Sequence, residues 1–242
     1  MKTASDYRSI VVLTGAGVSA ESGLPTFRDS DGLWHNHRIE DVATPEAFER
    51  NPELVWEFYS ARRRGALSVS PNAAHHALAA FARFCQDTGL EFTLVTQNVD
   101  GLHEIAHLQA GAAMPLTMHG RLRESRCTRC EKVYPDEKAY EVGEMPQSPC
   151  CQKSLRPHIV WFGELPLFIP EIDSRLEACD LFVTIGTSGN VYPAAGFLIQ
   201  AKRAGATTIC LNKERILQDR YVDHHLEGPA TLLVPEFFRC SA

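Results

Sequence analysis

The sequence predicts an α/β fold: a parallel sheet with helices on both faces, carrying a smaller inserted module. Three observations predict it. Short apolar runs recur at residues 9–14, 93–96, 180–185 and 206–211, several of them ending at glycine or asparagine. They are continuous rather than alternating, as in strands buried on both faces. Between them lie segments with apolar residues at helical spacing, and two stretches, 44–66 and 121–156, break that rhythm.

The elements follow in order. Residues 9–14 (Ser-Ile-Val-Val-Leu-Thr) are the first strand and run straight into Gly15-Ala16-Gly17-Val18-Ser19-Ala20. Residues 44–66 read as an amphipathic helix with Pro45 in its first turn, where a missing N–H costs nothing. Residues 72–85 are an alanine-rich helix, and 93–96 a second strand. Residues 121–156 combine turn residues, charges and clustered cysteines, and belong with 44–66 in the inserted module. The third strand, 180–185, ends at Gly186; a helix over 192–204 leads to the fourth strand, 206–211, which ends at Asn212. Residues 231–234 read as a fifth strand.

Composition bounds the function. The chain has 242 residues, enough for one large domain with an insert. Its net charge of −6 gives no broad basic face for nucleic acid. The apolar stretch Val11-Val12-Leu13 is shorter than the roughly 7–15 residues of a secretory core, and no run reaches the ~18 of a membrane helix. A soluble, cytoplasmic protein with no membrane partner is the expectation. Of eight cysteines, Cys85, Cys179 and Cys210 lie in apolar segments and read as small buried hydrophobes.

Several groups carry chemistry. A strand followed by Gly15-x-Gly17 lets a backbone approach a pyrophosphate closely, aided by a helix N-terminus; it is also how a strand simply turns into a helix. The third glycine of the usual dinucleotide pattern is Ala20 here. Gln97, Asn98 and Asp100 follow a strand end, where open parallel sheets bind ligands; shaping a turn is the other role open to Asn98 and Asp100. Histidine suits proton transfer near neutral pH, but most of the ten histidines are ordinary. His75, His76, His224 and His225 sit in pairs that read as solvated or helix-surface positions.

In their order these segments resemble the sirtuin family. The run from Gly15 through Gly23-Leu-Pro25-Thr26-Phe27-Arg28 to Trp34 is joined by Thr96-Gln97-Asn98-Val99-Asp100, Met118-His119-Gly120, Trp161-Phe162-Gly163-Glu164 and Gly186-Thr187-Ser188. The resemblance spans about residues 9 to 234 and implies a Rossmann-like NAD-binding domain from 1–35, 71–120 and 158–242. Its small domain comprises a helical part, 36–70, and a zinc-ribbon part, 121–157. It implies NAD-dependent removal of acyl groups from protein lysines, yielding nicotinamide, O-acyl-ADP-ribose and free lysine; a monomer is the expectation for the chain. NAD would be held by Gly15, Ala16, Gly17, Ser19, Ala20, Thr26, Phe27, Arg28, Trp34, Gln97, Asn98, Asp100, Gly186, Thr187, Ser188, Asn212 and Ala230. His119 would be the general base taking a proton from a ribose hydroxyl, with Asn98 and Asp100 in the catalytic set. Residues 23–28 resemble a loop that closes over the cofactor. Val160, Phe162, Gly163 and Glu164 would bind the acylated peptide, with His158, Val160 and Phe162 lining the acyl-lysine tunnel.

Tyr59 and Arg62 match a pair that, in the branch removing succinyl, malonyl and glutaryl groups, points into the acyl pocket. Residues three apart share a helix face, and a guanidinium can grip a carboxylate through two parallel hydrogen bonds. The resemblance therefore implies desuccinylase and demalonylase activity, with some deacetylase activity beside it. The spacing alone also fits a solvated basic face at Arg62-Arg63-Arg64. Cys127-x-x-Cys130 is half a zinc site, and the other half is the adjacent pair Cys150-Cys151. Neighbouring side chains in extended backbone point apart, so a structural four-cysteine zinc requires a bent segment here; a three-cysteine site or vicinal thiols without metal are the alternatives. Mono-ADP-ribosyl transfer and a non-catalytic NAD sensor are the other functions open to such a sequence.

Overall fold

The computed structural model describes residues 2–26 and 37–240; Phe27, Arg28 and Trp34 lie outside the described residues. The chain runs β1 (Ser9–Thr14), α1 (Ile39–Val42), α2 (Pro45–Arg50), α3 (Pro52–Leu67), α4 (Ala73–Thr88), β2 (Glu91–Thr96), α5 (Leu102–Ala110) and β3 (Leu116–Thr117). Then follow β4 (Gly120–Cys127), β5 (Val133–Pro135), β6 (Leu155–Ile159), α6 (Ile169–Ala178), β7 (Leu181–Ile185), α7 (Ala194–Arg203), β8 (Thr207–Asn212), β9 (His224–Glu227) and α8 (Ala230–Phe237).

Six strands form one parallel sheet in the order β3-β2-β1-β7-β8-β9. The continuous apolar run of β1 is explained by its two faces. Ile10 and Val12 enter a core with Leu78, Phe81, Val234 and Phe237 of α4 and α8. Val11 and Leu13 enter a second core with Ile172, Leu176, Phe197 and Leu198 of α6 and α7. Burying each such side chain contributes about 1.5–3 kcal/mol, so neither face tolerates a polar residue at these positions.

The smaller module pairs helices α1 to α3 with the antiparallel sheet β5-β4-β6. Val55, Phe58 and Tyr59 of α3 pack with Leu122, Ile159 and Trp161, while Trp56 packs with Cys127 and Leu155. The single helix expected over 44–66 is two helices. Asn51, whose side chain accepts the Leu54 amide at 3.2 Å, caps a new helix that starts at Pro52.

Two expectations are corrected. Residues 231–234 lie within α8, because Ala230, Val234 and Phe237 place their apolar groups at helical spacing on the core. The strand beyond β8 is instead β9, a half-exposed edge strand starting at His224 and His225. His75 is not a surface residue: it sits fully buried in the first turn of α4, while His76 is exposed.

Candidate active site

After β1 the chain moves to β2 and β3 on one side; β7 lies on the other side of β1 and leads outward to β8 and β9. The strand order therefore reverses direction between β1 and β7, and the carboxyl ends of these two strands are the place where open parallel sheets hold ligands. Gly15 donates its N–H to Ile185 O at 3.0 Å, and Gly17 donates to Gly186 O at 2.8 Å. A Cβ on Gly17 would lie 2.7 Å from Gly186 Cα, and one on Gly186, at φ +60°, would lie 2.5 Å from the Val18 nitrogen. These glycines let two loop backbones touch, and their amides are committed to that contact. No long helix starts here either: residues 16–18 and 20–22 are separate 3₁₀ turns, too short to present the macrodipole anticipated for a phosphate.

Beneath the loops is a saturated polar knot. Ser19 Oγ donates to Asp100 Oδ2 at 2.8 Å and accepts from Asn98 Nδ2 at 3.1 Å. His75 Nε2 lies 3.3 Å from Ser19 Oγ, and its Nδ1 lies 3.2 Å from the Asn72 amide nitrogen and 3.0 Å from Asn72 Oδ1, so the ring bridges Ser19 and Asn72. Asp100 Oδ1 accepts the Leu102 amide at 2.9 Å. Burial raises the Asp100 carboxyl, with these hydrogen bonds and Arg62 opposing it; burial drives His75 down to about 3, so it is neutral.

His119 immediately precedes β4. Its Nδ1–H donates to Gln97 O at 3.2 Å, which leaves the Nε2 lone pair as the basic atom. Burial lowers its pKa, partly offset by that hydrogen bond. Gln97 is itself fixed, donating its amide to Thr14 O at 3.0 Å and Nε2 to Thr187 Oγ1 at 3.1 Å.

A cavity of about 490 Å³ runs over these groups. Gly15, Ala16, Gly17, Ser19, Ala20, Thr26, Gln97, Asn98, Asp100, Gly186, Thr187, Ser188, Asn212 and Ala230 line it, as do His119, Tyr59, Arg62, Val160, Phe162, Gly163 and Glu164. Asn212 donates Nδ2 to Thr187 O at 2.9 Å and so braces the loop after β7. His158 is the exception: it is not on the cavity wall, and its Nε2 faces Glu124 at 3.9 Å. Lys213, Glu214 and Val191 also line the cavity and were missed by sequence reasoning. Their signal was position, since the first two follow Asn212 at a strand end.

At the module side, Tyr59 and Arg62 share the α3 face that closes the cavity. The Arg62 guanidinium lies 5.8 Å from the rings of both Phe58 and Tyr59. Burial lowers its pKa, with Tyr59 and Asp100 acting the other way. Trp161 Nε1 donates to Tyr59 Oη at 3.0 Å, so the phenol hydrogen points elsewhere. Burial raises that phenol to about 12, keeping it a donor. Glu164 lines the cavity but its carboxylate is engaged, accepting Arg126 and Arg156 at 2.7 Å and the Trp161 amide at 2.8 Å. Of the three successive arginines, Arg62 faces the cavity, Arg63 is buried and Arg64 is exposed, so they are not one solvated face.

The Sγ atoms of Cys127, Cys130, Cys150 and Cys151 all lie within 4.8 Å of one another. A tetrahedral zinc with Zn–S bonds of about 2.3 Å requires sulfurs about 3.8 Å apart, so the set fits one structural ion. The bent segment this needs is present. Gln152, at φ +52°, donates to Ser148 O, repeating the turn in which Glu131, at φ +59°, donates to Cys127 O. Hydrogen bonds from Ser148 and the Cys130 amide pull the Cys127 thiol down to about 6, toward the thiolate a metal takes.

Residues 15–193 match the Sir2 family model. The chain is 52% identical over 232 residues to the NAD-dependent protein deacylase SIR2rp3 of Leishmania major, covering 94% of this chain and 93% of that one. It is similar to a solved Sir2 homologue–NAD complex, with a TM-score of 0.86, 38% identity and coverage of 98% of this chain and 90% of that chain. A Sir2–p53 peptide–NAD+ structure matches with a TM-score of 0.79 and 30% identity, covering 97% of this chain and 92% of that chain. Spread over nearly the whole chain, these likenesses place the protein in the Sir2, or sirtuin, family.

Proposed function

We propose that this NAD-dependent protein deacylase acts preferentially on lysines carrying a short acidic acyl group, such as succinyl or malonyl, and more slowly on acetyl-lysine. The observation that carries the preference is the pair Tyr59 and Arg62 on one face of α3, closing the same cavity that His119 lines. A buried guanidinium is stabilised by an anionic partner, and a site built to hydrogen-bond its ligand discriminates against analogues lacking the group.

NAD, as co-substrate, supplies an electrophilic ribose carbon with nicotinamide as leaving group. The loops after β1, β7 and β8 form the cradle for it, and Asn98 and Asp100 are held in place by Ser19. His119 presents Nε2 as a neutral base, its tautomer set by Gln97 O. Val160 to Gly163 form the wall along which an extended peptide adds as a strand, a mode that reads backbone and tolerates sequence. Tyr59 and Arg62 receive the far end of the acyl chain.

Nicotinamide release from NAD, measured with succinyl-lysine and acetyl-lysine peptides, tests the reading. The wild type should favour the succinyl peptide, and Arg62→Met should abolish that preference. A wild type that turns over acetyl-lysine best, with Arg62→Met indistinguishable from it, would make this an ordinary deacetylase.

A further inference from the structure

We propose that Arg63 is a positioning residue for acyl selection: it locks the helix face bearing Tyr59 and Arg62 against the strand that follows His119. The inference rests on the acidic-acyl reading above.

Arg63 is 1% exposed. Its Nε donates to Leu122 O at 2.6 Å. Nη1 donates to Asp136 Oδ2 at 3.0 Å and Lys138 O at 2.8 Å, and Nη2 to Glu124 O at 3.1 Å and Ser125 Oγ at 2.9 Å. A guanidinium has five N–H groups, so this set is saturated. Its plane is flanked by the rings of Trp56 and Tyr140, at 5.2 and 6.0 Å.

Four of the acceptors belong to three residues of β4 and to Asp136 just past β5. Strand β4 starts directly after His119, and Leu122 lines the cavity. One rigid planar group therefore sets both the spacing and the rotation of α3 relative to the strand behind the base. An ammonium on a flexible stem offers three donors from a single point and cannot reproduce that fork. Rotation of α3 displaces Arg62 from where the acyl carboxylate must sit. Productive polar geometry tolerates only about 0.5 Å and 10–20°. An acetyl group reaches neither Tyr59 nor Arg62 with a charge, so its turnover is less sensitive to that rotation.

The test compares Arg63→Lys, Ser125→Ala and Arg62→Met in the full-length protein, with saturating NAD and succinyl- or acetyl-lysine peptides. Circular dichroism and zinc content report folding. Arg63→Lys should raise the KM for the succinyl peptide by about tenfold or more while its kcat and the acetyl KM change by less than about threefold, as expected of misplacement rather than lost chemistry. Ser125→Ala, which removes one acceptor and keeps the arginine, should shift the succinyl KM the same way by a smaller factor. Equal changes for both peptides, or none, would overturn the proposal. If Arg63→Lys does not fold, Ser125→Ala decides alone, and an unchanged succinyl-to-acetyl ratio overturns it. Arg62→Met separates the two ideas. If it leaves the ratio intact, the acidic-acyl reading has failed; if it collapses the ratio while Arg63→Lys does not, only the role of Arg63 has failed.

Discussion

Titrating His119 should produce an acid limb in activity that lies below the ordinary histidine range. Its Nδ1–H is committed to Gln97 O, so Nε2 alone can accept a proton. Burial favours the neutral ring and lowers the pKa from 6.5. As the proposed base, His119 acts in its neutral form, so kcat/KM should be flat at neutral pH and fall tenfold per pH unit only once pH drops beneath that lowered value. Replacing the base, as in His119→Gln, should reduce kcat/KM by about 10²–10⁴-fold and remove the limb. The neighbours matter to the interpretation. Burial raises Glu104 to about 7, next to Arg121 at 3.4 Å, so it titrates within the assay range. His75, at about 3, and His103, held well below 6.5 by burial, stay neutral and add no limb. The assay is therefore nicotinamide release from pH 5.5 to 9, on wild type, His119→Gln and Glu104→Gln. A limb that survives in His119→Gln, or that shifts only in Glu104→Gln, would refute the assignment of the base.

Two further outcomes follow from the structure. Gly186→Ala should destabilise the protein by about 2–5 kcal/mol, the left-handed backbone and the 2.5 Å clash with the Val18 amide adding together; an unchanged denaturation midpoint would show that the two loops are not in contact. Chelation should remove a single zinc ion and lower the melting temperature, because Cys127 is part of the small core with Trp56 and Leu155. Cys151→Ser should lose the metal as well, and full zinc retention in that variant would favour a three-cysteine site.

Much of this was legible in the sequence because burial on both faces leaves a plain trace. Residues 9–14, 180–185 and 206–211 read as strands since their apolar side chains enter a core on each face of the sheet. The edge strand β9 left no such trace: His-His-Leu-Glu is half exposed and held by main-chain pairing to β8. The run 231–234 is too short for its periodicity to separate strand from helix, and only the spacing of Ala230, Val234 and Phe237 on the folded core settles it. His75 and His76 look alike as a pair, yet one step around a helix buries the first and exposes the second. Likewise three consecutive arginines occupy cavity wall, interior and solvent, which the run itself does not encode. At the site, the ordered motifs supply much of the cavity wall, while lining residues such as Ala43, Leu122, Ile159, Val191, Lys213 and Glu214 lie outside the predicted set. The commitment of the Gly15 and Gly17 amides to the opposite loop depends on a contact between strands far apart in sequence.

On the proposed reading, a carboxylate on the acyl chain, bound by Tyr59 and Arg62, sets the preference. The most direct measurement compares kcat/KM for a succinyl-lysine peptide with that for its neutral isostere, in which the terminal carboxylate is replaced by a carboxamide of nearly the same shape. A hydrogen bond to a charged group contributes about 1.5–3 kcal/mol, so the succinyl peptide should be favoured by about 10–150-fold in the wild type. The ratio should fall to near unity in Arg62→Met. Equal turnover of the two peptides by the wild type would show that Tyr59 and Arg62 do not read the carboxylate.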